Sequence, residues 1–230
     1  MVLGISLYGT VLILPQYVQS LLGYTATLSG ELLVFRAGAI MLLTPLSAFL
    51  LQRGLVNPRW QVAIGFILIG ISNFLLAGVT TTGSDFWTFF WPLAISGVGL
   101  AQIFVPLTTT VVGGVELRDI PAAAAFFNLA RQMGGSIAIA VLVTILARSN
   151  AIHHTELGSR ITLQSPSVAQ YVWQNGGAVT QHVAITLNQI VTRQAAALSF
   201  ADTARFVALV SIVLAPLALI LKRPKVAGGE

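Results

Sequence analysis

The strongest constraint on this chain is a series of apolar stretches, each about 20 residues or longer and nearly free of charge. They cover residues 2–22, 26–52, 60–79, 86–115, 121–147 and 200–222. A helix of that length spans the hydrocarbon of a bilayer, about 30 Å at 1.5 Å per residue. Lipid offers the backbone no hydrogen-bonding partner, so only helices or closed barrels cross it, and runs this long select helices. Composition agrees: 56% of the 230 residues are hydrophobic, 8% are charged, and the mean hydropathy is +0.86. Soluble domains carry about 25% charged residues. The expected fold is an all-α membrane protein with six transmembrane helices. The fourth span contains Pro92, Pro106 and several glycines, which predict a tilt or a kink.

Charge at the span ends sets the orientation. Arg53 and Arg59 lie between spans two and three, Arg118 between spans four and five, and Lys222, Arg223 and Lys225 after span six. The short connections on the other side, "GYTAT" and "TTTGSD", carry no Lys or Arg. By the positive-inside rule both termini face the cytoplasm, and the aromatic stretch Phe86 to Trp91 falls at the outer interface. The net charge of +5 then reads as helix-end anchors facing membrane lipid rather than as a nucleic-acid patch. Residues 1–22 lack a basic leading segment and a clear cleavage site, so they are not read as a signal peptide.

Residues 148–199 form one long extracytoplasmic connection, and residues 223–230 a cytoplasmic tail. Within the connection Val183, Leu187, Ile190, Val191 and Leu198 recur at helical spacing. This predicts an amphipathic helix leading into span six, preceded by a turn at "QNGG". Two readings stand for it: a helix resting on the membrane or its own bundle, and a docking surface for a periplasmic partner. His153, His154 and His182 fall in the same polar stretch and are read as solvated loop residues, since adjacent histidines point to different sides. Cysteine is absent, which excludes disulfides and thiolate metal sites. No metal or cofactor is expected.

The residues that pose a chemical question are polar groups inside the spans. Arginine at a helix centre costs about 2.5–3.5 kcal/mol even on insertion scales. Asn128, Arg131, Gln132 and Ser136 fall at i, i+3, i+4 and i+8, one face of one helix, and Gly134 and Gly135 admit a close neighbour. Such a stripe is expected to face protein or a water-filled cavity. Arg36 sits in span two with the same spacing to Arg53 as Arg131 has to Arg148. The two spans run in opposite directions, as in a 3+3 inverted repeat. Near a helix end Arg36 also has the option of snorkelling to the interface. Further candidates are Gln16, Tyr17 and Gln19 in span one, and Gln102 in span four. Glu31 reads either as an interfacial acid or as a proton carrier, on a different face from Arg36. Asp202 and Arg205 are spaced to pair at the outer rim.

Three stretches together resemble the C-terminal half of EmrB/QacA-type drug:proton antiporters of the major facilitator superfamily. They are "VLILPQYVQSLLGYTATLSGELL", "VPLTTTVV" followed by "RDIPAAAAFFNLARQMGGSIAIAVLVTIL", and "RQAAALSFADTARFVAL". Glu31 and Phe35 depart from the family's apolar or proline residues there, and Pro121 replaces a small residue. The resemblance implies proton-coupled multidrug efflux across a bacterial inner membrane, with lipophilic or amphipathic drugs as substrates and protons as the driving ion. It also implies a partner N-terminal half, in the same or a separate chain, that carries the acidic coupling residue, and a periplasmic adaptor docking on residues 148–199. Asn128, Arg131, Gln132, Arg36, Gln102, Gln16 and Glu31 are the expected substrate-cavity or coupling residues. The alternative is a membrane protein without transport activity, a fragment or assembly partner. A membrane enzyme is not expected, because the spans hold no paired carboxylates, nucleophile triad or phosphate loop.

Overall fold

The computed structural model describes residues 11, 13–81, 83–113, 115–162, 165–174 and 180–219. Among these the chain is helical, with no strand. Residues 13–20 form the described part of a first helix, α1. There follow α2 (Ala26–Gln52), α3 (Pro58–Val79), α4 (Phe90–Val112), α5 (Ile120–Arg160), α6 (Pro166–Gln174) and α7 (Gln181–Ala218). Short 3₁₀ turns at Phe86–Phe89 and Leu117–Asp119 lead into α4 and α5. Five of these helices, α2, α3, α4 with its leading turn, α5 and α7, are long and apolar enough to cross a membrane. About half of the first expected span, residues 2–22, lies outside the described residues, as do most of the "QNGG" turn and the cationic tail.

Local chemistry explains the boundaries. Thr25 caps α2 by accepting from the Leu28 amide at 3.3 Å. Gly54 adopts φ of +65° just after α2, a conformation that costs glycine little. Pro58 occupies the first turn of α3, where a missing N–H costs nothing. Within α4, Pro106 removes an N–H and disturbs the preceding turn. The hydroxyls of Thr108, Thr109 and Thr110 return donors to the carbonyls of residues 104–106, including Thr110 to Pro106 at 2.6 Å. Such bonds back to the i−3 and i−4 carbonyls satisfy the hydroxyls within their own helix.

Two boundaries differ from the sequence reading. The fifth span is expected to end at Ala147, yet α5 continues to Arg160. Residues 148–157 are polar but contain neither proline nor glycine, so nothing stops the helix before Gly158, whose carbonyl accepts from the Ile161 amide. Loss of apolarity marks where a helix leaves lipid, not where it ends. The stretch read as a loop thus begins as helix, contains the short α6, and resumes as α7. Thr180 caps α7, which runs without a break from Gln181 into the expected sixth span. At 41 and 38 residues, α5 and α7 are about 60 Å long, twice the hydrocarbon thickness.

The core is built on α3, which packs against both α4 and α7, while α2 packs on α4 and α5 on α7. One apolar cluster joins Val62, Phe66 and Ile69 to Leu100, Ile103 and Ala215. A second joins Leu14, Tyr17 and Val18 of α1 to Leu76, Leu93 and Phe200, with the Tyr17 and Phe200 rings 5.1 Å apart. The α3–α4 crossing is close because Gly65 and Gly99 face each other. A Cβ on Gly65 would lie 2.7 Å from the Gly99 carbonyl oxygen, and one on Gly99 would lie 2.8 Å from that of Gly65. Since the obstacle is backbone, the helices must separate to admit a methyl group. Gly99→Ala is therefore expected to destabilise the protein by about 1–3 kcal/mol, the usual range for overpacking. Thermal unfolding in detergent, compared with Gly78→Ala where a Cβ meets nothing within 4 Å, checks this.

Candidate functional site

Burial divides the helices into two groups. In their most apolar windows, α3 and α4 are 56% buried and α7 50%, but α2 and α5 only 17%. The two helices that carry the intramembrane arginines are the least covered. On α5, Gly134, Gly135, Ala138 and Leu142 form the buried side. Asn128, Gln132 and Ser136 are exposed and Arg131 is half-buried. These side chains lie on the side of α5 that the other described helices leave uncovered.

Arg131 is held from two sides. Its Nη2 donates to Asn128 Oδ1 at 3.3 Å, and its guanidinium lies 5.6 Å from the Phe104 ring centroid. A cation over an aromatic face at that distance is attracted by the ring quadrupole. The contact leaves the guanidinium positioned but without a carboxylate within 4.0 Å among the described residues. Around it Phe126, Leu129 and Met133 expose large apolar surfaces. The uncovered face of α5 thus combines a fixed cation, two amides and apolar side chains.

Other expected site residues fall elsewhere. Arg36 is 3% exposed, and the carbonyl of the same residue sits so close to α4 that a Cβ on Gly97 would meet it at 2.5 Å. Glu31 is exposed. Gln16 and Gln19 are exposed on α1, whereas Tyr17 is fully buried and donates its hydroxyl to the Thr81 carbonyl. Phe35 packs with Phe86, Trp87 and Phe90, at centroid distances of 5.1–5.9 Å.

Gln102 joins a network that sequence reasoning did not find. Ser47 of α2 donates to Gln102 Oε1 and to the Ala101 carbonyl, both at 3.3 Å. Gln61 of α3 donates to the Ser47 hydroxyl at 2.5 Å and its carbonyl at 3.1 Å. The only hint in the sequence is a glutamine early in span three, and an isolated glutamine names no partner. Gln102 turns toward α2 and α3, while Phe104, two residues on, turns toward Arg131. The 200° between them on one helix accounts for the separation.

The second missed group lies between α5 and α7. Asp202 Oδ2 accepts from the Ser149 hydroxyl at 2.9 Å and lies 2.6 Å from His153 Nε2, while Oδ1 accepts from Arg205 at 3.2 Å. The reading of His153 as a loop residue is corrected: it is helical and 22% exposed, because α5 outlasts its apolar run. Once the helix is extended, Ser149 and His153 stand at i and i+4, a signal the sequence did contain. His154 lies in the same helix, and His182 is exposed in the first turn of α7.

These features define an all-helical, multi-pass membrane protein with a polar, uncovered helix face. No family model matches the chain. Over 225 residues it is 29% identical to the multidrug export protein EmrB of Escherichia coli strain K12, covering 96% of this chain and 43% of that protein. It is 28% identical over 233 residues to the fatty acid resistance protein FarB of Neisseria gonorrhoeae, covering 99% and 45%. It is also 24% identical over 166 residues to the uncharacterized MFS-type transporter YhcA of Bacillus subtilis, covering 72% and 31%. The chain spans less than half the length of these curated relatives. Its similarity to EmrB multidrug export proteins over nearly its whole length is consistent with the C-terminal half of an EmrB-type transporter.

The buried network generates a prediction. A double-mutant cycle of Ser47→Ala and Gln61→Leu is expected to give a coupling of about 0.6 kcal/mol, the average for interhelical hydrogen bonds in membranes. Unfolding by denaturing detergent reads it, and additive single effects would mean the bond contributes nothing.

Proposed function

We propose that this chain is the C-terminal six-helix half of a proton-coupled multidrug exporter of the bacterial inner membrane. The observation that carries the reading is the polar stripe of Asn128, Arg131 and Gln132 on the uncovered face of α5. A charge held within lipid is costly, so a fixed cation on that face calls for a covering partner or water. The N-terminal half docks on the uncovered faces of α2 and α5, and the stripe lines or braces the cavity between the halves. Arg131 there pairs with a carboxylate of the other half until a proton releases it. Lipophilic or amphipathic drugs bind near the midplane, and rocking of the halves alternates access. The similarity to EmrB, a multidrug export protein by name, and to FarB, a fatty acid resistance protein by name, supports the same reading.

Three of the helix contacts support the 3+3 inverted repeat, whereas the α5–α7 contact has no α2–α3 counterpart of like extent. Exchanging spans one to three with four to six maps the α3–α7 contact onto itself. It maps α3–α4 onto α7–α1, where Tyr17 meets Phe200, and α2–α4 onto α5–α1, where Leu146 packs on the cluster containing Leu14 and Tyr17. With both termini cytoplasmic, the projecting parts of α5 and α7 face the periplasm and present the surface for an adaptor.

Arg131→Ala in the full-length protein is expected to cut drug export by about tenfold or more, the loss of one charge-assisted hydrogen bond of about 1.5–3 kcal/mol. Efflux from loaded vesicles, normalised to protein in the membrane, reads the effect. Unchanged export overturns the role given to Arg131.

A further inference from the structure

We propose that the groove between α3 and α4 at Arg59 binds an anionic phospholipid of the leaflet at that end of the bundle. The lipid phosphate sits on the guanidinium and the start of an acyl chain lies in the groove. The inference stands on the geometry of that groove and does not depend on the transport reading.

The two helices touch at Gly65 and Gly99. Toward the start of α3 they leave a groove of about 400 Å³, counted to its open side. Its lining includes Arg59 and Val62 of α3 and Pro106, Leu107, Thr110 and Val111 of α4. Since α3 begins at this end and α4 finishes there, Val62 and Pro106 lie about one turn deeper than Arg59 and Thr110. Thr110 donates its hydroxyl to the Pro106 carbonyl at 2.6 Å. Apart from Arg59 the remaining wall is apolar. A ligand that fits is therefore apolar along its body and anionic at one end.

The charge of Arg59 is uncompensated among the described residues. Its Nε is buried and meets no acceptor, and no carboxylate lies within 4.0 Å of its guanidinium. Glu116 and Asp119, in the connection after α4, pair instead with Arg118, at 3.1 and 3.9 Å. Arg53, the other cation between α2 and α3, lies over the Phe49 ring at 4.4 Å and does not line the groove. The helix α7 finishes at the same end, where Ala215 and Ala218 pack with Val62. The sequence after it carries Lys222, Arg223 and Lys225. Their sign matches that of Arg59, which disfavours that segment as the occupant and strengthens the pull of this end on anionic lipid.

The next residue places Arg59 at headgroup depth. Trp60 is 57% exposed and begins a stripe of exposed apolar side chains along α3, continued by Ile64, Ile67, Ile71 and Phe74. Tryptophan concentrates at the boundary between membrane and water. The guanidinium beside it therefore meets phosphates, and hydrocarbon begins with the isoleucines. A phosphodiester of single negative charge matches one uncompensated guanidinium, which can hold two of its oxygens. Basic pockets between membrane helices recognise lipid headgroups in this way. Neither α2 nor α5 lines the groove, so a partner covering those helices leaves it open to lipid.

Photolabelling of the full-length protein in phosphatidylcholine nanodiscs tests the site. The probe is phosphatidylglycerol with a diazirine near the top of one acyl chain, and labelled positions are read by peptide mass spectrometry. Label is expected to concentrate on residues 58–62 and 106–111 and to be displaced by added phosphatidylglycerol but not by added phosphatidylcholine. Arg59→Gln is expected to cut that labelling by about tenfold, the loss of one charge-assisted contact. Arg53→Gln, which removes an equal charge outside the groove, is expected to cut it by less than about twofold. Val111→Trp keeps the charge, fills the groove and is expected to remove the label. Labelling unchanged in Arg59→Gln overturns the proposal. So does an equal loss in Arg53→Gln, the mark of diffuse attraction, or label spread evenly from Ile64 to Phe74. Displacement by free glycerol 3-phosphate assigns the groove to a soluble phosphate and overturns the lipid. Should Val111→Trp fail to fold, the two arginine variants decide.

Discussion

The crossing of α3 and α4 at Gly65 and Gly99 is the contact on which the other helices depend. Two backbones meet there without an intervening side chain, and the α3 surface beyond it is left to receive α7 through Gly70, whose added Cβ would strike Ile212 at 2.6 Å. In lipid there is little hydrophobic force between helices, so close approach and the dispersion it allows must hold them. Small residues recur wherever α3 meets a partner, including Ala77 against Ala201 and Ala204. With α3, α4 and α7 fixed as a core, α2 and α5 attach to its edges and keep most of their surface uncovered.

Polar groups inside this chain are treated in two ways. Where a partner helix is present they are consumed internally, as in the Ser47–Gln61–Gln102 network and the buried guanidinium of Arg36. Where no helix covers them, on the outer face of α5, Arg131 is braced by Asn128 and Phe104 but left able to meet another ion. The two arginines share a spacing in sequence yet occupy different environments. The guanidinium of Arg36 is enclosed by this chain, and that of Arg131 is braced at an uncovered helix face.

The length of α5 and α7 adds a part that lipid does not constrain. Where the apolar run of α5 ends and that of span six begins, the two helices are joined at Asp202 by Ser149 and His153, with Arg205 completing the carboxylate's bonds. The aromatic group of Phe35, Phe86, Trp87 and Phe90 lies at the membrane boundary, sealing α2 to α4 by ring packing.

By itself the sequence determined that the chain is helical and membrane-embedded, because uncharged runs of bilayer length admit no other backbone solution. It also determined that Asn128, Arg131 and Gln132 share a face, since i, i+3 and i+4 fix direction around one helix axis. The Asp202–Arg205 pair was legible for the same reason. Periodicity refers each residue only to its own helix, so it named neither the neighbour of Gln102 nor that of His153. Apolarity reported where lipid stops, so the polar continuations of α5 and α7 looked like a loop. Only the tertiary structure decided which arginine is enclosed and which is uncovered, and only it brought His153 to Asp202, 49 residues away. Those outcomes depend on the distance between helices, set by glycines and alanines whose contribution is the side chain they lack.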